Sequence, residues 1–517
     1  MKTVKYIIAA VAVLALSACS SDYLDTVPTS STSTETIFES TQNAKLAING
    51  LSKMMTVQYL SSQGFNGEGT IKTWYGNYPG NDYQKCALTG WANIINSTKY
   101  HETNTSAYDY YPWYYYYKLI GNANKVIMKI DDATGTDSER NFIKAQALTF
   151  RAYSFMQLAQ LYSKRWCDSN NGATRGVALR LDDSTDSIPC STLAETFKQI
   201  YDDLDLAISC FQASDEDRAS DAGYAPNINV AYAVYARAAL IREDWATAAK
   251  YAPLARNGYS LMSTSEYKDG GFSTPNSEWI WYVYSAEDET LYYYQYFSYE
   301  GSNASSSVSR NYPSAISKDL YVQIPETDIR RDMFLDPGDY TGYTASTGRD
   351  TKTLYKKAFA NYGDKLYSTS RVYIYMQFKQ QNIAQPGVGN IPLFRSSEMY
   401  LIEAEADCHL GKESAAQNLL VELTKNSGRD PSYSCTKTGD DLLEEVKLYR
   451  RIELWGEGFD WFDCKRWKKT IVRRSLANGG SFHAQFAKTI APEDNNEWVW
   501  VIPAKEVDYN SMIKSFE

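Results

Sequence analysis

Residues 231–252 read AYAVYARAALIREDWATAAKYA and carry the clearest helical pattern in the chain. Alanine recurs at helical spacing on both sides of Asp244-Trp245, where one predicted helix ends and the next begins. Asn257-Gly258 then supplies the stop signal of the second helix. Because alanine side chains let two backbones approach closely, these helices are predicted to pack as an antiparallel pair. The alanines predicted to face one another are Ala231, Ala233, Ala236, Ala238 and Ala239 on the first helix and Ala246, Ala248, Ala249 and Ala252 on the second.

Further helices are predicted on both sides of this pair. Thr136 and Thr192 each stand three residues before a glutamate, which is the capping-box spacing that opens a helix. Thr32 has the same spacing to Glu35 and predicts a helix through about Leu60. Apolar stripes at helical spacing predict helices over about 113–130, 136–161, 192–211, 226–241, 392–410, 413–426 and 440–455. Helix pairs of this size resemble tetratricopeptide units, although the full repeat consensus is absent.

Two long segments interrupt the helical pattern. Residues 61–112 and 259–390 are rich in Tyr, Gly, Asn, Ser and Asp, and strand-like alternation appears only in pieces such as Glu278–Tyr284 and Arg371–Phe378. The apolar tail at Trp498–Pro503 is predicted to dock on the core. The sequence therefore predicts an all-α dominated fold, in which helix pairs support an irregular, loop-rich half with short strands.

The composition excludes several functional classes. The chain has 517 residues, a formal net charge of −10 and 44% hydrophobic residues, which is ordinary globular composition. The acidic balance argues against nucleic acid as a partner. With three His and no Cys-x-x-Cys pair, no metal site is predicted. Tyrosine is unusually frequent, with 43 residues. Those that are buried need hydrogen-bond partners for their hydroxyls.

The N-terminus indicates export. A short basic region is followed by an apolar run at Ile7–Leu16, which is too short to span a bilayer and typical of a signal peptide. Leu16-Ser17-Ala18-Cys19 resembles a bacterial lipobox, in which Cys19 is lipidated. Residues 1–18 are then a lipoprotein signal peptide and residues 19–34 a lipidated flexible tether. A plain secretory signal with an incidental cysteine is the alternative.

Several motifs are more specific than helical periodicity. They are WYYYYKLIGNANKVI at Trp113–Ile127, Arg151-Ala152-Tyr153, the alanine-rich pair, IPLFRSSEMYLIEAEA at Ile391–Ala406, YRRIELWGEGFDWFDCKRW at Tyr449–Trp467 and the closing segment at Trp498–Asn510. Together with the lipobox, and in this order, they resemble the SusD/RagB family of outer-membrane nutrient-binding lipoproteins from Bacteroidetes. Val421–Asn426 departs from that resemblance, since family members usually carry an asparagine and arginines there.

The resemblance implies an architecture and a function. It implies about four tetratricopeptide-like helix pairs in a single domain over residues 35–517, with a helical scaffold at 35–60, 113–258 and 392–470 and ligand-facing insertions at 61–112 and 259–390. Family members capture a ligand, usually an oligosaccharide, and deliver it to a TonB-dependent outer-membrane transporter; they are not enzymes. The expected partners are a SusC-like transporter, an oligosaccharide and the outer membrane, reached at its cell-surface face through the lipid anchor, with no cofactor. The alternative is a helical-repeat surface scaffold or adhesin that binds a protein or a non-sugar nutrient.

The candidate ligand-binding residues lie outside the predicted helical core. Sugar rings stack on aromatic faces while amides bond their hydroxyls, so aromatic and amide residues in the two insertions are the expected contacts. Trp91 is the leading candidate, because the resemblance places a sugar-stacking tryptophan in this segment. The other candidates are Trp74, Tyr75, Asn93, Asn96, Tyr296, Tyr299 and Tyr312. Within the helix at 113–130, Tyr116 and Tyr117 are predicted to face the core.

Glu453 and Glu457 are the one carboxylate pair that invites an enzymatic interpretation. They stand at i and i+4, whereas a glycosidase needs two carboxyl groups on either side of one bond. Basic residues crowd the same stretch, which favours ion pairs that lock the last helices together. The basic neighbours are Arg450, Arg451, Lys465, Arg466, Lys468 and Lys469. No catalytic residue is therefore predicted.

Overall fold

Helices dominate the computed structural model, which describes residues 34–62, 64–88, 101–285, 295–494 and 498–513. In chain order the helices are α1 (Thr34–Ile37), α2 (Thr41–Met54), α3 (Gly67–Thr70), α4 (Ala107–Lys129), α5 (Asp137–Tyr162), α6 (Leu193–Gln212), α7 (Ile228–Ile241), α8 (Trp245–Arg256), α9 (Thr264–Lys268), α10 (Tyr296–Glu300), α11 (Ser307–Asn311), α12 (Lys318–Tyr321), α13 (Thr353–Tyr362), α14 (Ser396–His409), α15 (Glu413–Val421), α16 (Gly439–Glu453), α17 (Asp460–Arg466) and α18 (Ala504–Tyr509). Two π-helical segments, Ile71–Asn77 and Glu422–Asn426, continue α3 and α15. No helix in this described part of the chain is long and apolar enough to span a membrane.

Short antiparallel strand pairs join the irregular half to the helices. The strands are β1 (Tyr83–Lys85), β2 (Arg175–Ala178), β3 (Cys190–Thr192), β4 (Trp279–Val283), β5 (Ser314–Ile316), β6 (Arg349–Asp350), β7 (Val372–Tyr373), β8 (Ile391–Arg395), β9 (Ile471–Arg473) and β10 (Lys488–Ile490). The pairs are β1–β5, β2–β3, β4–β8, β6–β7 and β9–β10. Strands were predicted at β4 and β7, and both are confirmed. The helix predicted from 392 begins only at Ser396, because the preceding residues pair with β4 and are fully buried.

The alanine-rich stretch forms α7 and α8, which pack closely on each other as predicted. All five alanines of α7 are buried, but on α8 only Ala248 and Ala252 of the predicted four are, while Ala246 is exposed. The ring of Tyr251 on α8 stacks on Tyr235 of α7, with a centroid distance of 4.1 Å. Around this pair α4 packs on α5, α5 on α6, and α14 on α8, α15 and α16. The helix-pair architecture is therefore confirmed.

The helix starts follow the capping signals where these are described. Complete capping boxes open α5 at Thr136 and α6 at Thr192, as predicted. Thr32 lies outside the described residues. The single helix predicted over 35–60 is instead two helices, because Ser40 adopts extended backbone and caps α2 through its hydroxyl.

The first predicted insertion supplies core residues, which the sequence did not indicate. Between residues 64 and 86 every residue except Pro79 is buried. Within this stretch Glu68 accepts hydrogen bonds from the hydroxyls of Tyr153, Tyr115 and Tyr116, at 2.8, 3.1 and 3.4 Å. Most of this part of the insertion therefore belongs to the core, where Glu68 is paired with hydroxyls of α4 and α5.

Tyrosine hydroxyls also replace backbone hydrogen bonds that α4 lacks around Pro112. Proline has no N–H to donate to the carbonyl four residues earlier. That carbonyl, of Tyr108, accepts instead from the hydroxyl of Tyr75 at 2.5 Å. The hydroxyl of Tyr162 donates to the next carbonyl, of Asp109, at 2.5 Å and accepts from the Trp113 N–H at 3.1 Å. Part of the tyrosine excess thus satisfies backbone groups at a helix break.

The C-terminal tail docks on the core as predicted. Trp498 and Trp500 are buried. The Trp500 N–H donates to the Leu161 carbonyl at 2.9 Å, and the Val501 N–H donates to the His101 carbonyl at 2.8 Å. The tail therefore ties the end of α5 to the residues that precede α4.

Candidate functional site

A solvent-open cleft lies where both predicted insertions meet the scaffold. It lies between the end of α2, the start of α10 and the loop that leads into β8. Its polar lining is mostly neutral, with the hydroxyls of Thr56 and Ser285 and the amides of Asn66 and Gln295, and Lys53 is its one cation among the described residues. Hydroxyl and amide groups suit a neutral, hydroxyl-rich ligand.

Two glycines form one wall of the cleft, because no larger residue fits there. A Cβ atom on Gly387 would lie 2.3 Å from the Ser298 nitrogen, and one on Gly389 would lie 2.6 Å from the Phe297 ring. The loop is held by backbone bonds from Ile383 to Val388 and from Val388 to Ala384, at 2.7 and 2.8 Å. The wall is therefore a close-packed backbone surface.

Amide side chains fix this loop to the segment between α10 and α11. Asn303 donates to the Asn382 carbonyl at 3.0 Å, and its own side-chain oxygen accepts from the Asn382 N–H at 2.8 Å. Gln385 donates to the Asn303 carbonyl at 2.9 Å and accepts from the Ser305 N–H at 2.6 Å. On the opposite side, Ser285 donates to the Gln295 amide oxygen at 3.1 Å. The cleft is thus preorganised by side-chain bonds.

Four of the aromatic candidates are core residues and not surface platforms. Only 2% of Trp74, 1% of Tyr75, 6% of Tyr296 and 4% of Tyr299 is exposed. Trp74 packs edge-on against Phe65 and Tyr299, with centroid distances of 5.3 and 6.3 Å. A ring whose faces are covered cannot stack on a sugar, so the assignment of these four as stacking residues is corrected.

Tyr296 is the only one of the four that lines the described cleft. Its hydroxyl donates to the Gly456 carbonyl at 3.0 Å, so the side chain closes the wall of the cleft. Tyr312 is half-buried, between α11 and β5, and remains a candidate. Trp91, Asn93 and Asn96 lie outside the described residues.

The sequence did not indicate most of the cleft residues. Lys53 and Thr56 lie at or just beyond the end of α2, and Asn66 immediately precedes α3; all three are residue types common on surfaces. The one available signal was Pro386-Gly387 and Gly389, a turn-forming run inside the second insertion.

Glu453 and Glu457 lie in a buried ionic cluster. The guanidinium of Arg395 donates to Glu457 at 2.7 and 2.8 Å and to Glu453 at 2.9 Å, and it also contacts Glu278 at 2.5 Å. Arg330 and Arg429 donate to Glu453, each at 3.0 Å, and Lys379 donates to Glu457 at 2.7 Å. We call these seven residues the arginine-glutamate cluster; all of them are almost fully buried.

The cluster keeps both glutamates ionised. Burial alone would raise the pKa of Glu457, but the charges of Arg395 and Lys379 lower it to about 2. Burial likewise opposes ionisation of Glu453, yet Arg429, Arg395 and Arg330 hold the pKa of that carboxyl well below its usual value. A general acid needs a raised pKa, so neither group suits glycosidic acid catalysis.

The predicted ion-pair role is confirmed, but the predicted partners are wrong. Arg450 pairs with Asp463 at 2.7 Å and Arg451 with Asp82 at 2.7 Å. Lys465 donates to the carbonyls of Gln160 and Ser163. The partners of Glu453 and Glu457 come from remote parts of the chain, and Glu457 lies beyond the end of α16, so helical spacing does not relate the two glutamates.

The comparisons with known proteins place this architecture in a family. Residues 246–515 match the SusD family, and residues 22–240 match a family described as starch-binding associating with outer membrane. The chain belongs to the SusD family. The resemblance of the sequence motifs is thereby confirmed, and family membership supports a glycan-binding protein associated with the outer membrane.

SusD-family relatives align over nearly the whole chain. SusD-like protein P38 from Formosa agariphila is 24% identical over 494 residues, which cover 90% of this chain and 91% of the relative. A SusD-like carbohydrate binding protein from Bacteroides vulgatus has a TM-score of 0.76 at 22% identity, covering 93% of this chain and 98% of that one. A SusD superfamily protein from Bacteroides thetaiotaomicron has a TM-score of 0.72 at 22% identity, with 92% and 99% covered. These likenesses show a shared SusD fold.

Proposed function

We propose that this protein is a lipid-anchored, cell-surface protein that captures oligosaccharides without cleaving them and delivers them to a SusC-like TonB-dependent transporter of the outer membrane. The observation that carries the proposal is the double family match, which joins a starch-binding family over residues 22–240 to the SusD family over residues 246–515. The solved relative from Bacteroides vulgatus, described as a carbohydrate binding protein, supports the ligand class.

The proposed ligand contacts combine stacking with hydrogen bonds. Trp91 stacks on one sugar ring, and Asn93 and Asn96 bond the hydroxyls of its neighbours; Tyr312 is a further aromatic contact. The neutral cleft at the insertion junction accepts hydroxyl groups through Gln295 and Thr56, which line it. Stacking leaves ligand bonds intact, so this chemistry suits capture before transport.

The absence of catalysis is part of the proposal. The arginine-glutamate cluster supports this part of the proposal, because its carboxylates are buried and bonded to guanidinium groups. Of the remaining acids, Glu405 is buried and paired with Arg466 at 2.5 Å. Removing one partner from a buried pair of this kind is costly, so such carboxylates stay paired with their cations.

Anchoring follows from Cys19. Acyl chains on this cysteine would bury their methylenes in the bilayer and leave the folded domain outside it. The tether over residues 19–34 would extend at most ~55 Å, at ~3.4 Å per residue. That reach lets the domain move over a transporter mouth while staying attached to the membrane.

Affinity electrophoresis tests the capture of glycans. The mature protein is run through native gels that contain starch, xylan, mannan or another polysaccharide. We expect retardation by at least one glycan, and we expect Trp91→Ala to weaken it about tenfold or more, as for a central aromatic contact. Tyr509→Ala is the matched control, because Tyr509 is 88% exposed and belongs to α18. Equal retardation of Trp91→Ala and wild type would refute the role of Trp91.

Two further outcomes separate the proposal from its competitors. Release of soluble sugars from the retarding glycan would establish an enzyme. Retardation by no glycan, combined with capture of a purified surface protein, would favour the adhesin alternative.

The anchor and the transporter need their own experiment. Cells expressing the full chain are labelled with an alkynyl fatty acid, and the membrane is solubilised for co-purification. We expect label on the wild type, none on Cys19→Ala, and a TonB-dependent barrel that co-purifies with the wild type. Label on Cys19→Ala would rule out Cys19 as the modified residue.

A further inference from the structure

A narrow pocket lies inside the helical scaffold, apart from the cleft described above. It is bounded by α5, α7, α17 and the π-helical segment that follows α3, and it is partly open to solvent. The free space inside it is about 40 Å³. One buried water needs at least ~10–15 Å³, so this pocket has room for a monatomic ion or a few waters and not for a sugar ring.

Lys72 lines the pocket because of the backbone around it. The π-helical segment Ile71–Asn77 starts against Gly458, whose φ is +92° and where a Cβ atom would lie 2.9 Å from the Lys72 Cα. The Lys72 ammonium donates to the Glu457 carbonyl at 2.9 Å, and it forms no ion pair with a carboxylate of the described residues. Only 8% of Lys72 is exposed. Its charge is therefore buried without a counter-ion in contact; we call this space the Lys72 pocket.

The other charged groups that line the Lys72 pocket have their own partners. The ion pairs are Arg237–Glu398, Arg450–Asp463 and Arg466–Glu405, at 2.6, 2.7 and 2.5 Å. Glu457 is held by Arg395 and Lys379 of the arginine-glutamate cluster. Glu68 is bonded to tyrosine hydroxyls, and burial raises its pKa, which favours its neutral form. Among the described groups of this pocket, Lys72 is thus the cation that lacks an acid of its own.

Arg450 adds a hydrogen-bond donor that nothing uses. Its Nε donates to Asp463, but its Nη1 is buried and has no hydrogen-bond partner in the described part of the chain. Arg450 is only 2% exposed, so bulk water does not supply one. The Arg450 guanidinium and the Lys72 ammonium both pack on the ring of Phe459, at 5.1 and 5.7 Å from its centroid. Buried donors are rarely left unpaired, so this one indicates a bound water or ion.

We propose that the Lys72 pocket binds a chloride ion, held by the Lys72 ammonium and by Nη1 of Arg450. Water would satisfy the Arg450 N–H but would leave the Lys72 charge unbalanced, whereas a monatomic anion does both. The site is independent of the glycan function proposed above.

The ionisation of Lys72 supports an anion as the occupant. Burial lowers the pKa of its ammonium to about 8, although the charge of Glu457 acts in the opposite direction. The ammonium is still the main form at neutral pH, and an anion beside it would offset the cost of its burial.

Crystals of the mature protein grown in sodium bromide test the site directly, because bromide replaces chloride and scatters anomalously. We expect an anomalous peak within hydrogen-bond distance of both Lys72 Nζ and Arg450 Nη1. Density there without anomalous signal would identify water and overturn the proposal. Bromide peaks confined to the protein surface, as for an adventitious ion only, would overturn it as well.

Thermal unfolding at constant ionic strength tests the site in solution. Sodium chloride is replaced stepwise by sodium gluconate, whose anion is too large for the pocket. We expect Tm to rise with chloride by ~1–3 °C and then to level off, as for one saturable site on the folded state. Identical Tm values in the two salts would overturn the proposal.

Variants assign the chloride effect to this pocket. Lys72→Met removes the charge while keeping a long side chain, so the rise of Tm with chloride should disappear. Lys198→Gln is the matched control, because Lys198 is an exposed lysine of α6 paired with Asp202, and it should keep the full rise. An unchanged chloride effect in Lys72→Met would refute the assignment. The bromide crystals of the wild type decide the proposal even where Lys72→Met does not fold.

Discussion

Glu68 and Glu457 are both fully buried carboxyl groups, and the chain accommodates them by opposite chemistry. Glu68, in the first insertion, is surrounded by tyrosine hydroxyls, and burial raises its pKa above the usual value despite those hydrogen bonds. Glu457, beside the last helices, is held by Arg395 and Lys379, whose charges outweigh burial and lower its pKa to about 2. Neutral donors make burial of an acid tolerable, whereas guanidinium groups keep it charged.

The difference also shows how each region is built. The tyrosine site joins residues of α3 to α4 and α5, so it fastens an insertion beneath the helical scaffold. The arginine-glutamate cluster joins β8 to α16 and to the segments that carry Arg330 and Lys379. The first depends on hydrogen bonds from neutral hydroxyls, and the second depends on charged groups, among which Arg395 contacts three carboxylates.

Removal of Arg395 should have the largest effect. Arg395→Met leaves Glu278, Glu453 and Glu457 without their shared partner, and breaking a buried ion cluster costs ~3–5 kcal/mol. Urea denaturation at neutral pH measures the loss. Arg474→Met is the matched control, because Arg474 pairs with Asp319 at the surface, and no measurable change is expected. A loss below ~1 kcal/mol for Arg395→Met would mean that the cluster is replaceable.

Acid should weaken the arginine-glutamate cluster selectively. The folded pKa of Glu457 is lowered from 4.5 to about 2, so its stabilisation is present above pH 4.5 and is lost as the pH falls toward 2. That shift corresponds to about 3 kcal/mol. Glu457→Gln should therefore be less stable than wild type at neutral pH, with the difference shrinking between pH 4.5 and 2. Denaturation curves across this range check it, and a constant difference would contradict it.

A hydroxyl in the tyrosine-rich region should matter less. Tyr162→Phe removes the group that bonds the Asp109 carbonyl and the Trp113 N–H at the break in α4. Leaving these backbone groups unpaired costs ~1–3 kcal/mol. Thermal and urea unfolding measure the loss, and Tyr509→Phe, at an exposed position, is expected to stay within ~0.5 kcal/mol of wild type. Indistinguishable stabilities of the two variants would show that Tyr162 does not support the helix.

The smallest effect is expected at Glu68, with the opposite sign of pH dependence. Because the folded pKa of Glu68 is raised above 4.5, its favourable contribution is complete below that pH and is lost as the pH rises through the folded value. Glu68→Gln resembles the protonated acid, so it should lie within ~1 kcal/mol of wild type in acid and gain relative to it as the pH rises. The two glutamine variants, measured side by side, should diverge in opposite directions; parallel pH profiles would remove the distinction between the two sites.

Local sequence signals predicted the helical half well. The alanines of α7 and the capping boxes at Thr136 and Thr192 act through neighbours three or four residues away, so their pattern is visible in the chain. The partners of Glu453 could not be found in this way. Arg330 stands 123 residues from it and Arg395 stands 58, and no local rule connects them.

The binding residues were harder to predict for a related reason. Trp74 and Tyr75 stand among glycine, asparagine and tyrosine, a composition typical of surface loops, yet a π-helix carries both into the core. Their burial depends on groups supplied by remote segments, such as the Tyr108 carbonyl freed by Pro112. Sequence identified the right segment type but could not tell a covered ring from an open one.

The docking of the C-terminal tail affects how the sequence between Leu88 and His101 can diversify. The stretch that joins Leu88 to His101 has both flanks fixed, since Cys86 donates to the Pro313 carbonyl at 2.9 Å and the His101 carbonyl accepts from Val501 at 2.8 Å. Substitutions, insertions or deletions between fixed flanks change loop-closure entropy only slowly with length. Under the proposed function, a new ligand specificity can therefore be acquired by rewriting a dozen residues, while the remainder of the domain folds as before.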